Sequence, residues 1–367
     1  MGVTRFTGTV VINDDTEVGD VWAVGERLTL ERPHHSGDEA VVEGFVFPGL
    51  VDVHCHVGLD SAGAASAELT EKQAAADRDS GVLLIRDAGS PQDTSWVGER
   101  EDLPRLRRAG QFIARDKRYL RGYARELEDV NELPRVAAEE ARAGDGWVKI
   151  IADWIDRSLG EEGDLAPLWP DDVLSAAIDA AHAEGARVTA HTFATEAVDG
   201  LLDGGIDGIE HGTGMTDSQI EVAAERGIPV TPTLMQIDQF QAFATQAEHK
   251  YPRFARRMRR MHGNRYQQVR AFYEAGVQLL VGTDAGGTIS HGSIATEAAE
   301  IVTAGVPDAA VVAAASWQAR SFLGVPGIDE GASADLVVFD DDPRHDIRVL
   351  GAPRAIALRG RRFDPRP

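Results

Sequence analysis

The sequence predicts an α/β protein: a (β/α)8 TIM-like barrel with a small β-sandwich domain built from both chain ends. Three observations carry that prediction. Between residues 50 and 326, short, nearly continuous apolar runs alternate with longer Ala-rich amphipathic stretches, the pattern of parallel strands buried on both faces and separated by helices. Eight such runs can be counted, which suits the repeating βα units of a barrel. Outside those limits the texture is that of short strands, rich in Val, Thr and aromatic residues and broken by Gly, Asp and Pro.

The elements follow in order. In residues 1–49, "RFTGTVVI", "DVWAVGERLTLE" and "AVVEGFVF" read as β segments and form the N-terminal part of the small domain. Residues 50–326 hold the barrel, with strands "LVDVHCH", "VLLIRDAG", "FIARDK", "WVKIIAD", "RVTAHTF", "GIEHG", "PVTPTL" and "QLLVGTDA". One helix between them has plain ends. Pro170, Asp171 and Asp172 open it, Val173, Leu174, Ala177, Ile178 and Ala181 make its apolar face, and Gly185 closes it. After "ASWQARSFLG", residues 327–367 return to strands in "ADLVVFD" and "RAIALRGRRF", with the turn-forming "DDDPRHD" between them.

Composition narrows the function. A hydrophobic fraction of 43% and a charged fraction of 26% describe an ordinary globular chain. No apolar run approaches the roughly 20 residues that span a bilayer. The net charge of −23 argues against general affinity for nucleic acid or anionic membranes. The first residues lack the basic-then-apolar layout of a secretory signal. The single cysteine, Cys55, excludes an intrachain disulfide and a multi-cysteine zinc site, and fits a reducing cytoplasm. The expected partner is a small-molecule substrate in the cytoplasm, with no nucleic acid and no membrane; a homo-oligomer is left open.

In a barrel the catalytic groups gather at the carboxyl ends of the strands. The first strand ends in His54 and His56, which period-2 alternation places on one side, with Cys55 on the other. Two such imidazoles can grip one metal ion or can simply be polar residues at a strand mouth. The fourth strand carries Lys149, in a chain whose other lysines are only Lys72, Lys117 and Lys250. Burying it is costly unless it is paired or neutralised. One reading is an ion pair with Asp153 or another strand-end carboxylate. The other is a neutral amine that adds CO2, giving a carbamate able to bridge two cations. His191 and His211, on the fifth and sixth strands, each read alone as hydrogen-bonded polar residues. Asp284, beside Gly282, Gly286 and Gly287, reads alone as a turn residue. Together, the six groups converge on one mouth, and four neutral imidazoles, an anionic bridge and a carboxylate suit a pair of divalent ions such as zinc.

This ordered set resembles the amidohydrolase superfamily in its binuclear, carbamylated-lysine branch, over essentially the whole chain. "FPGLVDVHCH", "GIEHG" and "GTDAG" are similar to its first-, sixth- and eighth-strand signatures, and "GASADLVVFDDDP" to the segment completing the small β domain. The resemblance implies that His54, His56 and Asp284 hold the more buried ion and that His191 and His211 hold the second. It further implies that the carbamate on Lys149 bridges the two and that Asp284 shuttles protons. The cofactors it implies are two zinc ions and the CO2-derived carbamate. The prolidase-like and imidazolonepropionase-like members look most similar, and a prolyl or arginyl dipeptidase-type enzyme fits the ligand set better than the single-metal imidazolonepropionase itself. "RDKRYLRGY" departs from those dipeptidases by lacking a Gly-Gly-His loop after the third strand.

The expected chemistry is hydrolysis of an amide, peptide-like bond by a metal-bridging hydroxide, in a dipeptide or N-acyl amino acid. The alternative is a hydrolase or deaminase of a cyclic amide, imidazolone or lactone. A non-catalytic scaffold ranks last, because all six ligands are kept. Asp284 is the catalytic candidate, as proton acceptor and donor. Candidate substrate residues are Tyr119 and Arg121, with Arg118 and Tyr123 in the same loop, then Trp154 with Arg157, and His291, which reads rather better as a cap of the next helix. The long stretch between strands seven and eight is expected to cover the mouth as a lid. Its basic run "RFARRMRRMHGNR" reads as an outer face balancing neighbouring acids.

Overall fold

The computed structural model describes residues 2–34 and 39–365. Both chain ends enter one seven-stranded sheet, in the order Arg361–Phe363, Ala355–Leu358, Leu336–Phe339, Glu39–Pro48, Val3–Val11, Glu17–Val24, Arg27–Thr29. The ends join where Leu336–Phe339 lies antiparallel to Glu39–Pro48, with Leu336 opposite Pro48 and Phe339 opposite Phe45. The strand pleat sends alternate residues to different cores. Leu336 and Val338 pack with Phe6, Val10, Val21 and Val46 in a core belonging to this sheet. Their neighbours Val337 and Phe339 enter the main core with Phe47, Ile356 and Leu358. One four-residue strand therefore binds two parts of the molecule together.

The main core is built on parallel strands. Leu50–Cys55, Val82–Asp87 and Arg105–Arg108 pair in that order. Ile113–Arg115, Trp147–Ile151, Arg187–Thr192, Gly208–His211 and Val230–Thr231 pair in a second series. The last apolar run, "QLLVGTDA", links the two. Leu279 bridges to Val230 and Ala285 to Cys55, while Val53 N donates to Val281 O at 3.1 Å and Asp284 N to His54 O at 2.7 Å. Gly282 is needed at this seam, since a Cβ there would lie 2.6 Å from His54 Cβ. The expected third strand, "FIARDK", forms Ile113–Arg115 and pairs with Trp147–Ile151, and a strand not expected from the sequence, Arg105–Arg108, pairs with Val82–Asp87. Gly110, at φ +67°, turns the chain between these two strands.

The helix with the plain sequence ends runs Asp171–Ala183 after Pro170 and buries Leu174, Ala177, Ile178 and Ala181, as its spacing predicts. The connection after Val230–Thr231 is helical throughout: Leu234–Asp238, Phe240–Ala247 and Pro252–Glu274. Several of its arginines are matched by acids. Arg259 lies 2.8 Å from Glu248, Arg270 2.7 Å from Glu274, and Arg253 3.3 Å from Asp164. No helix among the described residues is long and apolar enough to cross a membrane.

Candidate active site

The carboxyl ends of the parallel strands bring together the residues singled out by the sequence. His54 Nε2 and His56 Nε2 approach the same oxygen, Asp284 Oδ1, at 3.0 and 3.2 Å. The imidazoles follow one another in an arc. Ring centroids are 5.4 Å apart from His56 to His54, 5.3 Å from His54 to His211 and 4.7 Å from His211 to His191. Lys149 is buried beneath them. Backbone strain marks this end of the molecule: His211, Thr233 and Asp284 adopt φ of +67°, +47° and +57°. Each such non-glycine conformation costs on the order of 1–3 kcal/mol and persists only where the surroundings enforce it. Asp52 helps to enforce it, its Oδ1 accepting from His54 N at 3.0 Å and its Oδ2 from the Thr283 hydroxyl at 2.6 Å.

The donor set fits divalent cations. His56 Nδ1 lies 2.7 Å from the carbonyl of Gly89, which can only accept, so Nδ1 carries the proton and the lone pair is on Nε2. The Thr233 hydroxyl donates to Pro232 O at 2.8 Å and therefore accepts from His211 Nδ1 at 2.6 Å, leaving the His211 Nε2 lone pair free. Both nitrogens of His54 and Nε2 of His191 are buried without a hydrogen-bond partner among the described residues. Lone pairs facing a carboxylate oxygen at these distances repel unless a cation lies between them. Burial, and then the charge of Lys149, pushes His54 down to about 3 and His191 well below its ordinary range. His211 is lowered by burial and then by His191. Burial opposes ionisation of Asp284, and positive charge or donated hydrogens at the His54 and His56 positions hold the carboxyl well below the usual range; where those nitrogens carry lone pairs, a bound cation would supply that charge. Three neutral buried imidazoles around an anion are ligands in the form a metal requires.

Lys149 meets a residue that the sequence reading passed over. Its Nζ contacts Glu210 Oε2, while Glu210 Oε1 accepts from Arg86 at 2.6 Å and from the Thr189 hydroxyl at 2.7 Å. The ion-pair reading is thus met by another strand-end carboxylate, Glu210, and not by Asp153, which faces elsewhere. Asp153 Oδ2 accepts from Phe193 N at 2.8 Å and Ala194 N at 3.0 Å, pinning the turn after the His191 strand. Burial and the Arg86 charge push Lys149 well below the ordinary lysine range. The signal for Glu210 and Arg86 was available, since "GIEHG", "VLLIRDAG" and "WVKIIAD" each hold a charge inside an apolar run. Buried charges require partners, and here they are each other's.

Above this floor opens a cavity of about 540 Å³. Tyr119, Tyr123, Trp154 and Arg157 line it, and the Tyr119 and Trp154 rings meet edge to face at 4.6 Å. Three expectations are corrected. Arg121 is exposed and outside the lining, because the turn that carries Tyr119 and Tyr123 inward carries Arg121 outward. Arg118 lies outside the lining too, 3.4 Å from Asp156. His291 neither lines the cavity nor caps the next helix; its Nδ1 lies 2.8 Å from Asp77 Oδ2, on the far side of the first strand with Cys55. Gly292 N donates to the other oxygen of Asp77 at 2.7 Å, so the pair ties this loop to the helix Ala67–Asp79. The long helical connection does form a wall of the cavity, through Phe243, Tyr251, Phe254 and Met258.

Residues 45–358 match the amidohydrolase family. An uncharacterized protein of Mycobacterium tuberculosis is 49% identical over 352 residues, covering 96% of this chain and 94% of its own. A 5-methylthioadenosine/S-adenosylhomocysteine deaminase of Natronomonas pharaonis is 28% identical over 409 residues, covering 94% and 84% respectively. The fold is shared with a Xaa-Pro dipeptidase solved with methionine in its active site: TM-score 0.81, 21% identity, 99% of this chain and 100% of the other.

Proposed function

The chain belongs to the amidohydrolase family, and from that premise we propose a metal-dependent hydrolase that cleaves the amide bond of a dipeptide or N-acyl amino acid. The single observation that carries this reading is the convergence of His54, His56 and Asp284 within metal-binding distance of one another, with His191, His211 and Lys149 beside them. In this reading the parallel strands close as a (β/α)8 barrel over residues 50–326, and residues 1–49 and 327–367 supply the small domain. His54, His56 and Asp284 would hold one zinc ion, His191 and His211 a second, and Lys149, as its carbamate, would lie between them. When bound, the ions supply Lewis acidity toward the carbonyl and make a water nucleophilic near neutral pH.

The chain's own residues do the rest. Gly89 and Thr233 fix the tautomers of His56 and His211, so that no reorganisation is needed when charge develops. Asp284, anionic and between two imidazoles, takes the proton released on attack and delivers it to the leaving nitrogen. Arg86 and Thr189 engage one oxygen of Glu210 and Lys149 contacts the other; burial favours the neutral lysine amine, the form that could leave this contact and add CO2. The aromatic walls exclude bulk water from the reacting carbonyl.

The test is amino-acid release by zinc-loaded protein, prepared with bicarbonate, from pooled dipeptides and N-acyl amino acids. Release from one pool is expected, with two metal ions per chain by elemental analysis. No release from protein holding two ions moves the reading to its alternative, a hydrolase or deaminase of a cyclic amide, imidazolone or lactone. The likeness to the N. pharaonis deaminase is the observation favouring that alternative. A chain that binds no divalent ion overturns both.

A further inference from the structure

We infer that the substrate is amphipathic: an amide with one bulky apolar group, received by the helical wall of the cavity, and one anionic group, held at the mouth by Arg157 and Lys250. The inference rests on the hydrolase reading and narrows its substrate class. The charge of the cavity is inverted relative to the molecule. The chain carries 60 acidic and 37 basic residues, yet among the described residues the only carboxylate in the lining is Asp284, which belongs to the floor. The cations in the lining above Lys149 are Arg157 and Lys250. Both are exposed, and neither has an ion-pair partner among the described residues. Lys250 stands with its Nζ 5.2 Å from the Tyr251 ring centroid. Two unneutralised cations at the mouth of a cavity otherwise cleared of acids select an anion.

The wall selects for apolar bulk. Phe243 comes from the helix Phe240–Ala247, and Phe254 and Met258 from the first turns of Pro252–Glu274. These side chains offer a ligand no polar atom except the weakly accepting thioether, which adapts to irregular shapes, while Gln236 and Gln246 of the same connection also line the cavity. A volume of about 540 Å³ lies within the range of roughly 300–1,000 Å³ typical of pockets that bury a whole small molecule. A short polar dipeptide would leave this wall against water, whereas a ring or branched chain would cover it.

Calorimetry on the zinc-loaded protein tests the inference without requiring turnover. The probes are uncleavable amines in which methylene replaces the amide carbonyl: N-benzyl-L-phenylalanine, N-ethyl-L-alanine, and N-benzyl-L-phenylalaninamide, which lacks the carboxylate. The benzyl acid is expected to bind at least about tenfold more tightly than the ethyl acid, from the extra apolar area covered, and more tightly than its own carboxamide. Phe254→Ala should narrow the first difference. Lys250→Met, at an exposed position that does not threaten folding, should narrow the second. Equal affinity for the two acids, or for acid and carboxamide, overturns the inference. Turnover is read separately with N-benzoyl-L-phenylalanine. Tight, carboxylate-dependent binding without cleavage of any amide would sink the hydrolase reading and leave the pocket assignment standing.

Discussion

The floor and the wall of the cavity are built on opposite principles. The floor is polar, buried and drawn from the ends of separate strands, each contributing one or two groups, with Asp52, Gly89 and Thr233 fixing their orientation. The wall facing it is mainly apolar, with Gln236 and Gln246 among its side chains, comes largely from one helical connection, and is held by packing. Each floor residue is irreplaceable because its neighbours are unsatisfied without it. A wall residue only adds area. Losses on the floor should therefore be all-or-none, and losses on the wall graded.

Removing the metal should have the largest effect. Chelation is expected to abolish hydrolysis, and zinc to restore it; full activity in protein shown to be metal-free would end the metal reading. Next comes Asp284→Asn, which should lower kcat by about 10²–10⁴-fold, the usual worth of a positioned acid–base group, while elemental analysis still finds metal. Near-normal turnover with metal in place would remove Asp284 from proton transfer.

The floor also sets an acid limit. His54, pushed down to about 3 by burial and then Lys149, titrates near 6.5 when unfolded, and His191 and His211 are shifted the same way. At these histidines the unfolded chain binds more protons than the folded one across that window, so their contribution to stability is lost as pH falls below about 6.5. The buried carboxyls of Asp52, Asp87, Asp153 and Glu297, raised by burial to about 7, 6, 7 and 8, act in the opposite direction, so the check is the imidazoles' own titration by NMR in metal-free protein. Protonation of His54 near 6.5 in the folded chain would contradict the buried neutral imidazoles. The smallest change expected is Phe254→Ala, which should raise KM for a bulky substrate by about tenfold or less with kcat little altered, as loss of uniform binding does. A fall in kcat as large as that of Asp284→Asn would erase the distinction between floor and wall.

The sequence went furthest where structure is local. Period-2 alternation placed His54 and His56 together and Cys55 behind them, and the order of apolar runs put Lys149, His191, His211 and Asp284 at the same end. The pairing of both chain ends was legible too, because strand texture at 1–49 and 327–367 flanks a different pattern. The helix Asp171–Ala183 could be read with its caps, since caps and apolar spacing are properties of neighbouring residues.

What escaped depends on register and on loop paths. Glu210 reaches Lys149 and Arg86 only because three separate strands set their side chains at one depth, whereas Asp153, nearer in sequence to Lys149, is drawn away by the amides of Phe193 and Ala194. Arg121 and Tyr119 are two residues apart, yet the turn between them sends one to solvent and the other to the cavity. His291 is claimed by Asp77, a partner 214 residues away. Spacing along a chain fixes which residues share a face. Which distant group meets that face is settled by packing, where each buried charge must find an opposite one or forfeit its hydration.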